Sequence, residues 1–197
     1  LHLLSGPGDV VGARLVKDPR IAGVAFTGST EVARIIAQQL AAKPGPIVPF
    51  IAETGGQNAM IVDSSALPEQ VVDDVLTSAF QSAGQRCSAL RVLFVQEDVA
   101  DKVLAMLTGA MDELVVGDPA LLETDVGPVI DADAKAGLER HAERMKHEAK
   151  LLHQVRLGEE TRHGTFFAPR AFQIDSIKRL EREVFGPVLH EIGRAHV

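Results

Sequence analysis

Tryptophan and tyrosine are absent from this chain, cysteine occurs once, and phenylalanine supplies all eight aromatic side chains of the Phe, Trp and Tyr class. Without tyrosine or tryptophan no aromatic platform for stacking nucleic-acid bases is visible. One cysteine cannot close an internal disulfide, which sets a reducing, cytoplasmic compartment as the expectation. No apolar run approaches the roughly 20 residues of a membrane span. The opening LHLLSGPGDV has neither a basic segment nor a cleavage site, so no secretion signal is expected. Positive charge is short as well: 20 Lys and Arg face 27 Asp and Glu, for a net charge of −7. Nucleic-acid and membrane-surface binding both need clustered cations, so neither partner is expected for this segment. The seven histidines are scattered, with no HExxH pair and no cysteine partner, and no metal site is expected.

What is present is an ordinary globular composition, 46% hydrophobic and 24% charged over 197 residues. That length can bury a core, as one domain or as parts of two. Apolar residues recur at helical spacing in PGDVVGARLVKDP, in STEVARIIAQQLAAK (Val32, Ile35, Ile36 and Leu40 on one face) and in LPEQVVDDVLTSAFQSAG. The third is the strongest pattern, with Pro68 in its first turn and Gly84 suited to the left-handed residue that stops it. DVADKVLAMLTGAMDEL and DAKAGLERHAERMKHEAK continue the helical series. Between these lie strand-like runs: IAGVAF, read as a buried strand, then IVPFIAE, NAMIV, LRVLFVQE, FFAPRAFQI and PVLHEI. Such alternation predicts an α/β fold with a mainly parallel sheet, and leaves VRLGEETRHGT as loop. The chain opens in mid-pattern without a Met and closes on EIGRAHV, a tail without hydrophobic periodicity. A piece of a longer protein is expected.

Two places carry candidate chemistry. AFTGSTEVAR runs from strand through Gly28 and Ser29 into a helix, and a helix N-terminus with free N–H groups accepts an anion. Ordinary capping explains the same residues, and the full three-glycine dinucleotide fingerprint is missing. The second place is the pair Glu53 and Cys87. Glu53 ends an apolar run before Gly55 and Gly56, and a carboxylate buried there would resist ionisation and serve as a general base. Cys87 lies in a loop between helix and strand beside Arg86, and a neighbouring cation favours the nucleophilic thiolate. An inert buried cysteine and an exposed strand-end carboxylate are the bland alternatives.

FTGSTEVAR, ETGGQNAMIV, GQRCSA and EVFGPV occur in this order from residue 26 to residue 188. In order and spacing they resemble the aldehyde dehydrogenase superfamily. The fuller text, with DVGPVID and EREVFGPVLH, is similar to the L-glutamate γ-semialdehyde (pyrroline-5-carboxylate) dehydrogenase domain of bacterial proline utilization A proteins. The resemblance covers nearly the whole chain and weakens over the last residues.

The resemblance implies an α/β chain holding the end of a Rossmann-like NAD-binding domain (residues 1–52), then most of the catalytic domain (53–190), then a non-native or disordered tail (191–197). It implies Cys87 as nucleophile towards a small-molecule aldehyde and Glu53 as the base that activates water. Gly28 and Ser29 would meet the NAD pyrophosphate, Glu183 the nicotinamide ribose and Phe185 the nicotinamide, while Arg86 and Ser88 would contact the substrate carboxylate. The parent would be a homo-oligomer, with FAD only if a proline dehydrogenase domain is fused to it. The family's upstream oxyanion Asn and ribose-binding Lys have no match here, and Arg170 stands where a small polar residue is usual. The isolated chain is therefore expected to be inactive. Another NAD(P)-dependent aldehyde dehydrogenase, or a non-catalytic scaffold with an inert, buried Cys87, stay open as alternatives.

Overall fold

The structure, a computed structural model that describes residues 1–195 (the backbone alone for Arg194 and Ala195), divides into two units, Leu1–Gly55 and Gly56–Val197. In the first, a π-helical turn over Gly8–Gly12 leads into α1 (Ala13–Lys17). Strand β1 (Val24–Gly28) follows, then α2 (Thr30–Ala41) and β2 (Phe50–Thr54). β1 and β2 pair in parallel, Thr27 opposite Glu53 and Gly28 opposite Thr54.

A two-stranded parallel sheet leaves much of its surface open, and here the expected buried strand fails. β1 and β2 contain no buried residue. On α2, Ala33 and Leu40 are buried, but Val32 and Ile35 are 43% and 52% exposed and Ile36 is half-buried. The period of the pattern is right and the burial is not, because parallel strands need layers on both faces.

The second unit is built on a five-stranded sheet of order β3-β4-β7-β6-β5. Its strands are β3 (Ala59–Val62), β4 (Val92–Gln96), β5 (Lys150–Gln154), β6 (Arg170–Gln173) and β7 (Val188–Ala195). The first four in that spatial order run parallel, and β5 pairs antiparallel with β6. β5 was not signalled by KLLHQV, whose alternation is too short to separate from the helix before it. Residues 191–195 continue β7, so the described part of the expected tail is strand; His196 and Val197 lie outside the described residues.

Helices α3 (Pro68–Phe80), α4 (Glu97–Asp112) and α5 (Ala132–Glu148) supply much of the rest of the core. α3 opens on Pro68, whose missing N–H costs nothing in a first turn. Its stripe Val72, Val75, Ala79 and Phe80 is buried, with Leu76 half-buried beside it. Leu107 and Met111 of α4 and Leu138 and Met145 of α5 bury with Leu93 of β4, Phe172 of β6 and Leu189 of β7 in one cluster. Each large side chain of this kind contributes about 1.5–3 kcal/mol when removed from water. Asp131 caps α5 by accepting from the Ala134 N–H at 2.8 Å. The sheet and its helices hold the ends of β4 and β7 rigid, and the candidate site is built there.

Candidate active site

α3 cannot run on into β4, and the way it stops creates the first part of the site. After Phe80 the chain makes a short 3-10 segment, Gln81–Gly84, with Ser82, Ala83 and Gly84 at φ of 53°, 52° and 62°. Left-handed backbone suits Gly84, as its position after α3 predicts, and costs Ser82 and Ala83 roughly 1 kcal/mol or more each. A Cβ on Gly84 would also collide with the carbonyl of Gly186. Gly186 is equally constrained, since a Cβ there would enter the Leu138 side chain 2.5 Å from Cδ1. The two glycines let the segment before Cys87 lie directly on the segment Glu183–Gly186.

Cys87 follows in a turn closed by the Ala89 N–H donating to the Arg86 carbonyl at 3.1 Å. The thiol is exposed, as are Arg86 and Ser88 on either side. The burial of Cys87 that the scaffold alternative expects is thus not found. Asn58 braces the turn: its Nδ2 donates to the carbonyls of Cys87 at 2.6 Å and Ala89 at 2.9 Å. The Asn58 carbonyl accepts in turn from the Arg91 and Val92 N–H groups at 3.0 Å. Gln85 anchors the other side, its Oε1 accepting from the Ile130 N–H at 3.1 Å.

The residue that joins these parts is Arg91, whose side chain is completely buried. Its Nε and Nη2 donate to Glu183 Oε1 at 3.3 and 3.1 Å, Nη1 to the Gly186 carbonyl at 3.1 Å, and Nη2 to the Arg86 carbonyl at 3.1 Å. The guanidinium also lies 5.4 Å from the ring centre of Phe185. Burial pulls Arg91 down from its ordinary pKa, while the Glu183 hydrogen bond and charge pull it back up. Arg91 and Asn58 are the residues that sequence reasoning missed. For Arg91 the available signal was an arginine opening the apolar run LRVLFV.

Behind Arg91 sits a second polar pair, the buried His190 and the half-buried His141. His190 is buried, and its Nδ1 lies 3.1 Å from the Arg91 carbonyl, which also accepts the His190 N–H at 2.9 Å. A carbonyl only accepts, so Nδ1 carries the proton and Nε2 is the acceptor for His141 Nε2–H at 2.9 Å. Burial, first, pushes His190 down to about 4 and His141 down to about 3; Arg91 and Arg144 oppose the charged form of the former, and His190, Arg144, Arg170 and Arg182 that of the latter. Among the described residues no group of three or more His, Cys, Asp or Glu could hold a metal, and no helix is long and apolar enough to cross a membrane.

In the first unit, register sets Gly28 and Glu53 at the same C-terminal end of the parallel pair. This is the end at which open α/β sheets bind ligands. Ser29 caps α2, accepting from the Val32 N–H at 3.2 Å. The 12-residue helix directs the positive end of its dipole at that turn, which suits an anionic cofactor group. Gly28 has a packing reason of its own, since a Cβ would lie 2.5 Å from Cζ of Phe26. Glu53 is exposed, a correction to the expected buried strand end, and β2 as a whole contains no buried residue.

The aldehyde dehydrogenase family model matches residues 1–193. The bifunctional protein PutA of Klebsiella aerogenes is 56% identical over 200 residues, covering 98% of this chain and 15% of that protein. A crystal structure of a Bradyrhizobium japonicum proline utilization A variant superimposes with a TM-score of 0.92 at 57% identity, over 97% of this chain and 19% of that one. The 1-pyrroline-5-carboxylate dehydrogenase from Thermus, solved with bound NAD, gives a TM-score of 0.86 at 34% identity, over 96% of this chain and 37% of that one.

Proposed function

From the premise that the chain belongs to the aldehyde dehydrogenase family, we propose that it carries the thiol and the base of an enzyme that oxidises L-glutamate γ-semialdehyde to L-glutamate. The observation that carries this reading is the exposed Cys87 on a turn braced by Asn58 and Arg91. A nucleophile must be accessible to substrate yet held in one geometry.

Cys87 Sγ attacks the aldehyde carbon, and its own backbone N–H is one donor to the developing oxyanion. The thiohemiacetal so formed loses hydride to leave a thioester on Sγ. NAD, when bound, supplies the hydride acceptor, with Gly28 and Ser29 at its pyrophosphate and Glu183 and Phe185 at its nicotinamide end. Glu53 then takes a proton from water, which attacks the thioester carbon, and the acid leaves as Cys87 is regenerated. Arg86 and Ser88, exposed on both sides of the thiol, meet the carboxylate at the far end of the substrate. The similarity to 1-pyrroline-5-carboxylate dehydrogenases supports this substrate over a simple aliphatic aldehyde.

A base is needed for hydrolysis and not for transfer to an acyl-carrying thiol, so Glu53 favours a free acid product. In the longer enzyme, Glu53→Ala is expected to give one rapid NADH per site and then stall with the thioester in place. Glutamate release at the normal rate from that variant would overturn the assignment. The 197-residue chain alone is expected to be silent, because the oxyanion Asn and the ribose-binding Lys that the family resemblance calls for are unmatched in it. The parent works as a homo-oligomer, with FAD entering only through a fused proline dehydrogenase domain.

A further inference from the structure

Arg91 is the most completely buried cation among the described residues of the second unit, and its hydrogen bonds end on two segments far apart in sequence. On one side is the Arg86 carbonyl, directly before Cys87; on the other are the Glu183 carboxylate, the Gly186 carbonyl and the Phe185 ring. A buried guanidinium with these partners is tolerated only while they stay in place, because losing one leaves a desolvated charge poorly paired. Its planar fork also fixes the angle between the acceptors, which a lysine cannot do. Glu183 has no hydrogen bond to the Cys87 turn among the described residues, so beyond the Gly84–Gly186 contact the hydrogen bonds that join them run through Arg91.

We propose that Arg91 is a positioning residue that locks the turn bearing Cys87 to the segment bearing Glu183 and Phe185, so that nucleophile and cofactor contacts are set as one unit. The functional meaning of this lock rests on the reading of Cys87 and Glu183 given above. A disturbance at Glu183 is transmitted to the Cys87 turn, and by reciprocity the turn's order is felt at Glu183.

The test is amide hydrogen exchange on the 197-residue chain without cofactor or aldehyde, comparing Arg91→Lys, Glu183→Gln and the double variant. Exchange over residues 84–90 should rise at least threefold in each single variant, with the double no faster than the faster single. The pH-independent plateau rate of Cys87 alkylation by iodoacetamide should change in the same variants. An Arg91 that only supports the fold would instead loosen α5 and the sheet equally, and its effects would add to those of Glu183→Gln; that result overturns the proposal. So does unaltered exchange over 84–90 in Glu183→Gln. If Arg91→Lys does not fold, Glu183→Gln decides alone, since that side chain is 16% exposed and the swap keeps its shape. The chemistry assigned to Cys87 fails separately, if Cys87→Ala in the longer enzyme still makes NADH.

Discussion

Acidification should unfold this protein through the His141–His190 pair, and the size of the effect can be worked from the structure. His190 titrates near 6.5 when unfolded and is pushed down to about 4 when folded, because burial disfavours its charge and Arg91 and Arg144 repel it. Between those values the unfolded chain binds more protons than the folded one, so stability falls as pH falls. The loss begins as pH drops through 6.5 and is nearly complete at the folded value. From His190 alone it amounts to about 2 kcal/mol at pH 5 and about 3 kcal/mol at pH 4. His141, lowered to about 3, cannot relieve it. It donates to His190 Nε2, and a proton added there sets two N–H groups against each other until His141 changes tautomer. The charges that act on the pair do not help, for Arg91, Arg144, Arg170 and Arg182 are all cations.

The assay is urea unfolding at pH 7.5 and pH 5 for the chain and for His190→Asn. Asparagine keeps a donor for the Arg91 carbonyl and cannot be protonated. At pH 7.5 the variant should be about 1–3 kcal/mol less stable, from lost volume and the orphaned His141 donor. Its stability change between the two pH values should be about 2 kcal/mol smaller than that of the parent chain, roughly 1 M urea in midpoint. Carboxylates that also titrate cancel in this difference. Equal pH dependence in both proteins, to within ~0.5 kcal/mol, would refute the argument.

Two substitutions probe the turn around Cys87. Gly84→Ala combines a left-handed φ of 62° with a Cβ driven into the Gly186 carbonyl, and should cost about 2–4 kcal/mol in a thermal or urea melt. A loss below ~1 kcal/mol would mean that the two segments do not lie in contact. Asn58→Ala removes the donor shared by the Cys87 and Ala89 carbonyls; a loss of about 1–3 kcal/mol is expected, together with altered Cys87 alkylation. Normal alkylation would show that the thiol's setting does not depend on Asn58.

Helices α2, α3, α4 and α5 and every strand but β5 were legible because their periods are local properties of the sequence. α3 is the clearest case, from Pro68 at its start to the left-handed Gly84 beyond its end. Cys87, Glu183 and Phe185 could be singled out because they sit in motifs whose order survives in one dimension. Strand β5 was missed, since five residues of KLLHQ carry too little alternation to distinguish them. The expected burial of strand β1 and of Glu53 did not appear, because burial depends on what packs over the β1–β2 pair and not on the pattern of the residues themselves.

Residue types and spacing alone determined that this is an α/β protein with a thiol in a loop between helix and strand, a carboxylate at a strand end and a helix-capping turn after a strand. Only the tertiary structure decided what holds the thiol. Arg91 and Glu183 are 92 residues apart, and nothing in the local pattern at either position says that they meet. They meet because β4 and β7 are hydrogen-bonded neighbours in the sheet. A guanidinium buried at the start of β4 takes as partners the groups that the chain leading into β7 brings to it.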